Sequence, residues 1–414
     1  MASTNRQSHL NPKLMAVKQS MWLAADRVLR AVGQFVLVGV LARNLGVTDF
    51  GLLSWAQALA AVASLIGWSA ADTALIRWWV RDPDLASSRL WVVYRIQWLF
   101  IGIGALGLAL YAAPSEHWML AAVVGLSLVG RSAEVFRFWH EAHLTSPQYI
   151  RWEQGIYWTF LVLKLVAAPF GLMHVAFVVG LEGLVLAVVM GYRHREFRVP
   201  HSVQPAWDVA RAHWPLFVAY LLGLGSLRLP QLWLESVAGP AEVAYYSAAA
   251  RLVEPWAFVP WALISPLFVR YVRASDANTA RTLHRQMLAL ALGSGALLAS
   301  VIALGSTQWL NLVYGPEFGA AEPALKSLAY TMLPQFAMLV GLRRSVHLGR
   351  SWMVAAQGIT QFVLLYLLLS NLGAKVHDAT YAAQSALIAS CLSVFGLFWS
   401  LSLRSPSQKV TRYH

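Results

Sequence analysis

Seven cations (Arg30, Arg95, Arg131, Lys164, Arg228, Arg251 and Lys326) and four acids (Asp72, Glu134, Glu182 and Glu254) lie within long apolar runs of this 414-residue chain. An arginine at the centre of a lipid-facing helix costs about 2.5–3.5 kcal/mol on the insertion scale, so such a group normally faces protein or water. Guanidinium groups bind anionic oxygens bidentately, which makes several of them together a candidate anion site. The acids offer a second chemistry, because desolvation raises the pKa of a carboxyl toward the range where it exchanges a proton.

Spacing ranks these residues. Arg251 and Glu254 stand one helical turn apart and are followed by Pro255, so they form the leading candidate pair, either lining a cavity or closing the bundle as a structural ion pair. Arg27, Arg30 and Gln34 share one helical face; Arg27 can snorkel to the surface, and Arg30 faces either a cavity or protein. Arg131, Glu134 and Arg137 repeat every third residue, as a static lock or as part of a path. Arg228 precedes Pro230, a kink-forming position that favours cavity lining. Lys164 either binds a ligand or pairs with Glu182, and Asp72 lies close to a helix end. Arg95 and Lys326, near the ends of their runs, are expected to snorkel.

The elements that carry these residues are twelve apolar spans: 22–42, 51–76, 91–112, 118–138, 154–171, 175–192, 215–236, 243–269, 286–306, 324–342, 351–370 and 379–403. Each is long enough for a helix to cross about 30 Å of hydrocarbon. The polar stretches between them alternate in charge. One set holds 23 of the 32 Lys and Arg, and the other holds only Arg43 and Lys375. By the positive-inside rule both termini are cytoplasmic. The fold class is therefore an all-α polytopic membrane protein, with Gly102, Gly104 and Gly107 as candidate small-residue helix contacts.

Composition agrees: 58% hydrophobic, 12% charged and a mean hydropathy of +0.54. The basic residues are dispersed over seven short segments, which points to anionic lipid headgroups rather than nucleic acid. Trp22, Trp78, Trp79, Trp91, Trp118, Trp214 and Trp309, near span ends, are expected in interfacial belts. The single cysteine, Cys391, leaves no intrachain disulfide or cysteine-based zinc cluster. His140 and His143, spaced i, i+3 at a helix end, read as a solvated loop rather than a metal site, and no cleaved signal peptide is evident.

Shifting the chain by 193 residues aligns Gly46, Ser54, Ala56, Leu59, Trp68 and Arg77 with Gly239, Ser247, Ala249, Leu252, Trp261 and Arg270, and Asp49 with Glu242. The reading is a duplication: a six-helix half over 1–192, a basic cytoplasmic linker over 193–213 and a second half over 214–414. Six spans per half give parallel repeats, arranged around a central cavity and suited to alternating access.

The stretch from Leu41 to Leu59 (LARNLGVTDFGLLSWAQAL), the stretch beginning at Gly239 (GPAEVAYYSAAARLVEPWAFVPWALISPLF) and VYGPEF at 313–318 resemble, in order and spacing, the bacterial polysaccharide or O-antigen repeat-unit flippases of the multidrug/oligosaccharidyl-lipid/polysaccharide exporter superfamily. Relatives often carry an acid within the seventh helix, where this chain reads Leu227, Arg228, Leu229, Pro230. The resemblance implies translocation of an undecaprenyl-diphosphate-linked oligosaccharide from the cytoplasmic to the outer leaflet of the bacterial inner membrane, for lipopolysaccharide O-antigen or another surface polysaccharide. Membrane lipids, a polysaccharide polymerase and the chain-length machinery are the implied partners. On that reading Arg30, Arg131, Lys164, Arg228, Arg251 and Glu254 are substrate-site candidates. Asp72, Glu134, Glu182 and Glu254 are ion-coupling candidates, with proton, sodium or membrane potential as the drive and no cofactor.

Catalysis finds little support, since no Walker loop or Gly-x-Ser-x-Gly elbow occurs. A membrane-embedded polymerase or glycosyltransferase would carry a long external loop, and residues 307–323 are short. A cation-coupled small-molecule antiporter of the same superfamily is the second alternative; the cationic membrane inventory fits an anionic substrate better. A flippase for the peptidoglycan precursor ranks third, because such relatives commonly add two helices.

Overall fold

The computed structural model describes residues 12–66, 79, 83–143, 145–195, 204–274, 276–348, 350–370 and 378–402, and among them every regular element is helical. In chain order these are α1 (Pro12–Ser64), α2 (Pro83–Ala112), α3 (Trp118–Gly125), α4 (Glu134–Ala142), α5 (Ser146–Ala167), α6 (Leu172–Arg193), α7 (Gln204–Val237) and α8 (Pro240–Val253). They continue with α9 (Phe258–Val272), α10 (Ala277–Leu304), α11 (Ser306–Val313), α12 (Glu322–Tyr330), α13 (Met332–His347), α14 (Ser351–Leu369) and α15 (Ala379–Ser402). The protein is an all-α, multi-pass membrane protein. Eight stretches of the described residues are long and apolar enough to cross a bilayer, Leu29–Ser64 and Ala277–Leu304 among them. Leu110, Val188, Leu297 and Phe395 are exposed on their helices, as hydrocarbon-facing side chains are.

Several expected spans are not single α-helices; the tenth divides at Thr331 between α12 and α13. The fourth changes to a 3-10 path over Leu126–Ala133 between α3 and α4, and the eighth does so over Glu254–Ala257 between α8 and α9. Pro255 explains the break in the eighth, because it has no amide to donate to the carbonyl of Arg251. Part of the expected linker is also helical, since α7 begins at Gln204.

The chain forms two compact units, and they do not coincide with its two halves. Met1–Asn44 and Ile66–His213 form one; Leu45–Leu65 and Trp214–His414 form the other. Sequence places the second span in the first half, yet its described portion packs in the second unit. α1 changes unit at Gly46, whose backbone (φ 75°, ψ 178°) lies in a region open essentially to glycine alone. Its repeat equivalent, Gly239, adopts the same conformation (φ 87°, ψ 179°) before α8. Trp68 and Arg77 of the aligned set lie outside the described residues.

Close helix approach is made at glycines other than Gly102 and Gly107. A methyl group on Gly102 or Gly107 would meet nothing within 4 Å, so these do not form an interface. In the first unit Gly130 lies over Gly183, and a Cβ on Gly183 would sit 2.6 Å from Cα of Ser127. In the second, a Cβ on Gly51 would fall 1.8 Å from the carbonyl oxygen of Pro240 and 3.3 Å from Cβ of Ala244. Residue 244 aligns with residue 51 under the 193-residue shift, so the two aligned helices meet at matching positions.

Trp79 and Trp91 are core residues rather than belt residues. They are buried, with Trp79 edge-on to Trp139 and Trp91 packed against Tyr94 and Phe136. Trp118 and Trp309 are exposed; the side chains of Trp22, Trp78 and Trp214 lie outside the described residues.

Candidate functional site

In the first unit three of the intramembrane cations, Arg30, Arg131 and Lys164, are paired with carboxylates. Arg30 on α1 lies 3.0 Å from the Glu153 carboxylate on α5, with its guanidinium over the Tyr157 ring; the Tyr157 hydroxyl donates to the Arg30 carbonyl at 3.0 Å. Glu153 is a partner that sequence reading missed, because it sits at the edge of a basic loop. The signal available was its helical spacing to Tyr157, which puts both on one face. Arg131 pairs with Glu134 one turn on, and its carbonyl accepts from Gln97 at 3.5 Å. Lys164, buried on α5, pairs with Glu182 on α6.

His140 is no loop residue. It belongs to α4, with Nδ1 2.7 Å from the Thr145 hydroxyl and Nε2 3.0 Å from Nε2 of His194, which is itself stacked on Phe136.

The second unit holds the more informative arrangement. Arg228 on α7 grips Glu254 with both guanidinium arms, at 2.8 and 2.9 Å. Arg251 is not the partner of Glu254, contrary to the expectation from spacing. It donates to the Gln57 side-chain oxygen at 2.8 Å and the Ser54 hydroxyl at 3.2 Å, and its guanidinium stands over the Phe50 ring. The reason is geometric: residues three apart differ by about 60° around a helix axis. That angle directs Arg251 to the helix over 45–65 and Glu254 to α7.

Among the described residues Arg251 is thus a partly buried cation whose hydrogen-bonded partners are neutral, whereas Arg30, Arg131, Lys164 and Arg228 each bind a carboxylate. Of the remaining candidates, Lys326 pairs with Glu322 at 2.7 Å, Arg95 is exposed on α2, and Asp72 lies outside the described residues. Phe50 packs edge-on to Phe318 and at a tilt to Tyr314 of the VYGPEF segment, and the Tyr314 hydroxyl donates to the Ala248 carbonyl at 3.0 Å, so the three stretches singled out in sequence meet around Arg251.

Glu254 also borders a cavity of about 270 Å³ inside the second unit. Ser226, Tyr246, Thr331, Gln335, Gln361 and Ser390 bring polar groups to its wall. α7 runs through Pro230 without interruption, and Pro230 has no amide to offer the Ser226 carbonyl four residues earlier. Apart from Glu254, sequence reading missed this wall because its serines, threonine and glutamines are spread thinly over four spans.

The fold is that of a class of membrane transporters. No family model and no curated protein matches the chain in sequence. Among solved structures it is similar to the inward-facing conformation of a multidrug resistance MATE family transporter of the MOP superfamily (TM-score 0.67, 14% identity, covering 90% of this chain and 94% of that one). It is similar to the lipid II flippase MurJ in an inward closed conformation (0.67, 11%, covering 93% and 87%) and to the Vibrio cholerae MATE transporter VcmN (0.60, 14%, covering 96% and 97%). At these identities the likeness is one of fold.

Proposed function

We propose that the protein flips an undecaprenyl-diphosphate-linked oligosaccharide across the bacterial inner membrane by alternating access, with both termini cytoplasmic. The observation that carries this reading is Arg251, a membrane-embedded guanidinium held by Gln57, Ser54 and the Phe50 ring rather than by a carboxylate. A guanidinium whose hydrogen-bond partners among the described residues are neutral keeps its charge for a diphosphate, and its planar fork suits phosphate oxygens. The fold shared with a lipid II flippase supports the same class of substrate. The Arg228–Glu254 pair supplies a coupling device on this reading. Diphosphate draws Arg228 away, and a proton or sodium ion then takes Glu254, where the wall of the adjacent cavity offers further oxygens.

The test combines genetics with reconstitution. Deletion is expected to leave lipid-linked repeat units made but unflipped and to reduce surface polysaccharide. Purified protein in liposomes is expected to expose a lipid-diphosphate oligosaccharide to the outer leaflet. Normal surface display with altered drug tolerance would favour the second reading, a cation-coupled antiporter, for which the carboxylate beside the second-unit cavity and the fold shared with MATE transporters are the supporting observations.

A further inference from the structure

α9, α10 and α13 bring a second group of cations together in the second unit, at the end that charge pattern assigns to the cytoplasm. Segments 270–285 and 343–350 contain seven arginines and one acid, Asp276. That acid is engaged elsewhere: its carboxylate caps α10, accepting from the Thr279 amide at 2.7 Å. No carboxylate lies within salt-bridge distance of Arg343 or Arg344 among the described residues.

The arginines are nevertheless held in place. Arg343 donates to the Ser265 hydroxyl at 3.1 Å and lies against the rings of Trp261 and Phe268, 5.7 and 5.4 Å from their centroids. Ser265 in turn donates to the Trp261 carbonyl at 2.6 Å. This fixes the guanidinium plane without consuming its charge. Arg344 points to α10 instead, 3.5 Å from Nε2 of His284. A guanidinium only donates, so Nε2 accepts and His284 carries its proton on Nδ1. That Nδ1 and the Nε of Arg344 are buried with no hydrogen-bond partner. His347 completes the group, its ring against Tyr271 and Phe268. Two arginines held without a carboxylate among the described residues, with one unbonded buried N–H on Arg344 and another on His284, supply the donors that a phosphate-class anion takes.

We infer that the junction of α9, α10 and α13, centred on Arg343, Arg344 and His284, binds a phosphate-class anion. Dispersed surface arginines attract any anionic film. Here the aromatic walls and the serine bond fix a fork geometry that favours a phosphoryl group over a monovalent ion. Phospholipid headgroups and soluble or carrier-borne diphosphates share that chemistry. The site is separate from Arg251 and requires nothing of the proposed substrate.

The test uses the full chain in detergent, with pyrophosphate and phosphatidylglycerol as probes and phosphatidylcholine as control. Pyrophosphate is expected to bind saturably and raise the melting temperature. Arg343→Gln with Arg344→Gln should weaken it at least tenfold, while Arg281→Gln, on an exposed face, should not. If native mass spectrometry shows phosphatidylglycerol displaced by pyrophosphate, the occupant is a lipid headgroup; pyrophosphate binding without retained phosphatidylglycerol assigns a diphosphate. Unsaturable binding, or equal affinity in the double variant, overturns the site. Should the double variant fail to fold, Arg343→Lys decides: it keeps the charge and loses the fork, so weaker pyrophosphate binding supports the site and unchanged binding overturns it.

Discussion

At the scale of single residues, Arg251 and Glu254 separate into two roles with two different tests. Arg251→Ala is expected to cut flipping at least tenfold at equal protein level, and Arg251→Lys to restore it partly, since an ammonium keeps the charge but loses the bidentate geometry. Gln57→Ala should lower the rate by less, because it loosens the guanidinium without removing it. The Arg228–Glu254 pair predicts a different pattern. Removing either partner leaves a partly buried charge uncompensated and should cost about 1–3 kcal/mol of stability, visible as a lower melting temperature. Replacing both by apolar residues of matched volume should recover stability while coupling to the ion gradient stays lost. Full gradient-driven flipping by that double variant would remove Glu254 from the coupling step. Sequence identified Arg251 and Glu254 but paired them by chain distance. Arg251 and Glu254 are near neighbours in sequence, whereas their partners, Gln57 and Arg228, lie 194 and 26 residues away.

Among helices, contact is decided by backbone approach rather than by apolar area, since lipid competes equally for apolar side chains. Gly183→Ala is expected to destabilise by about 1–3 kcal/mol, because its Cβ would fall 2.6 Å from the Cα of Ser127 and backbone cannot swing aside as a side-chain tip can. Gly102→Ala is the matched control and should change little, having nothing within 4 Å. Melting temperatures of the two variants check the pair; similar losses would mean that α2 is more crowded than its geometry indicates. The helices were legible because hydropathy and span length leave few alternatives in a membrane. The interruptions at Leu126–Ala133 and Glu254–Ala257 were less so: Pro255 marks one, but nothing in the run LSLVGRSA announces the other. Glycine count alone also misled at Gly102 and Gly107, since which glycines face a neighbour depends on helix rotation.

For the whole molecule, alternation of charge predicts that tags at Leu10 and at the C-terminus report a cytoplasmic location and that tags near Glu317 and Lys375 report an external one. Opposite sides for residues 317 and 375 would defeat the six-plus-six arrangement. A handful of aligned residues read as a duplication, and two of them, Gly46 and Gly239, share one backbone conformation. The composition of the second unit was not legible, because hydropathy locates a helix and says nothing of its neighbours. That composition bears on how the protein is made. The helix over 45–65 is synthesised 193 residues before the segment that Gly51 packs against. At about 5–20 residues per second it waits roughly 10–40 s in the membrane without its partner. Ser54 and Gln57 must spend that interval beside lipid or a chaperone. A ribosome stalled between residues 66 and 213 would therefore hold a chain whose second helix is still unpaired, and crosslinking from position 54 or 57 in such stalled chains would identify the factor that shelters it.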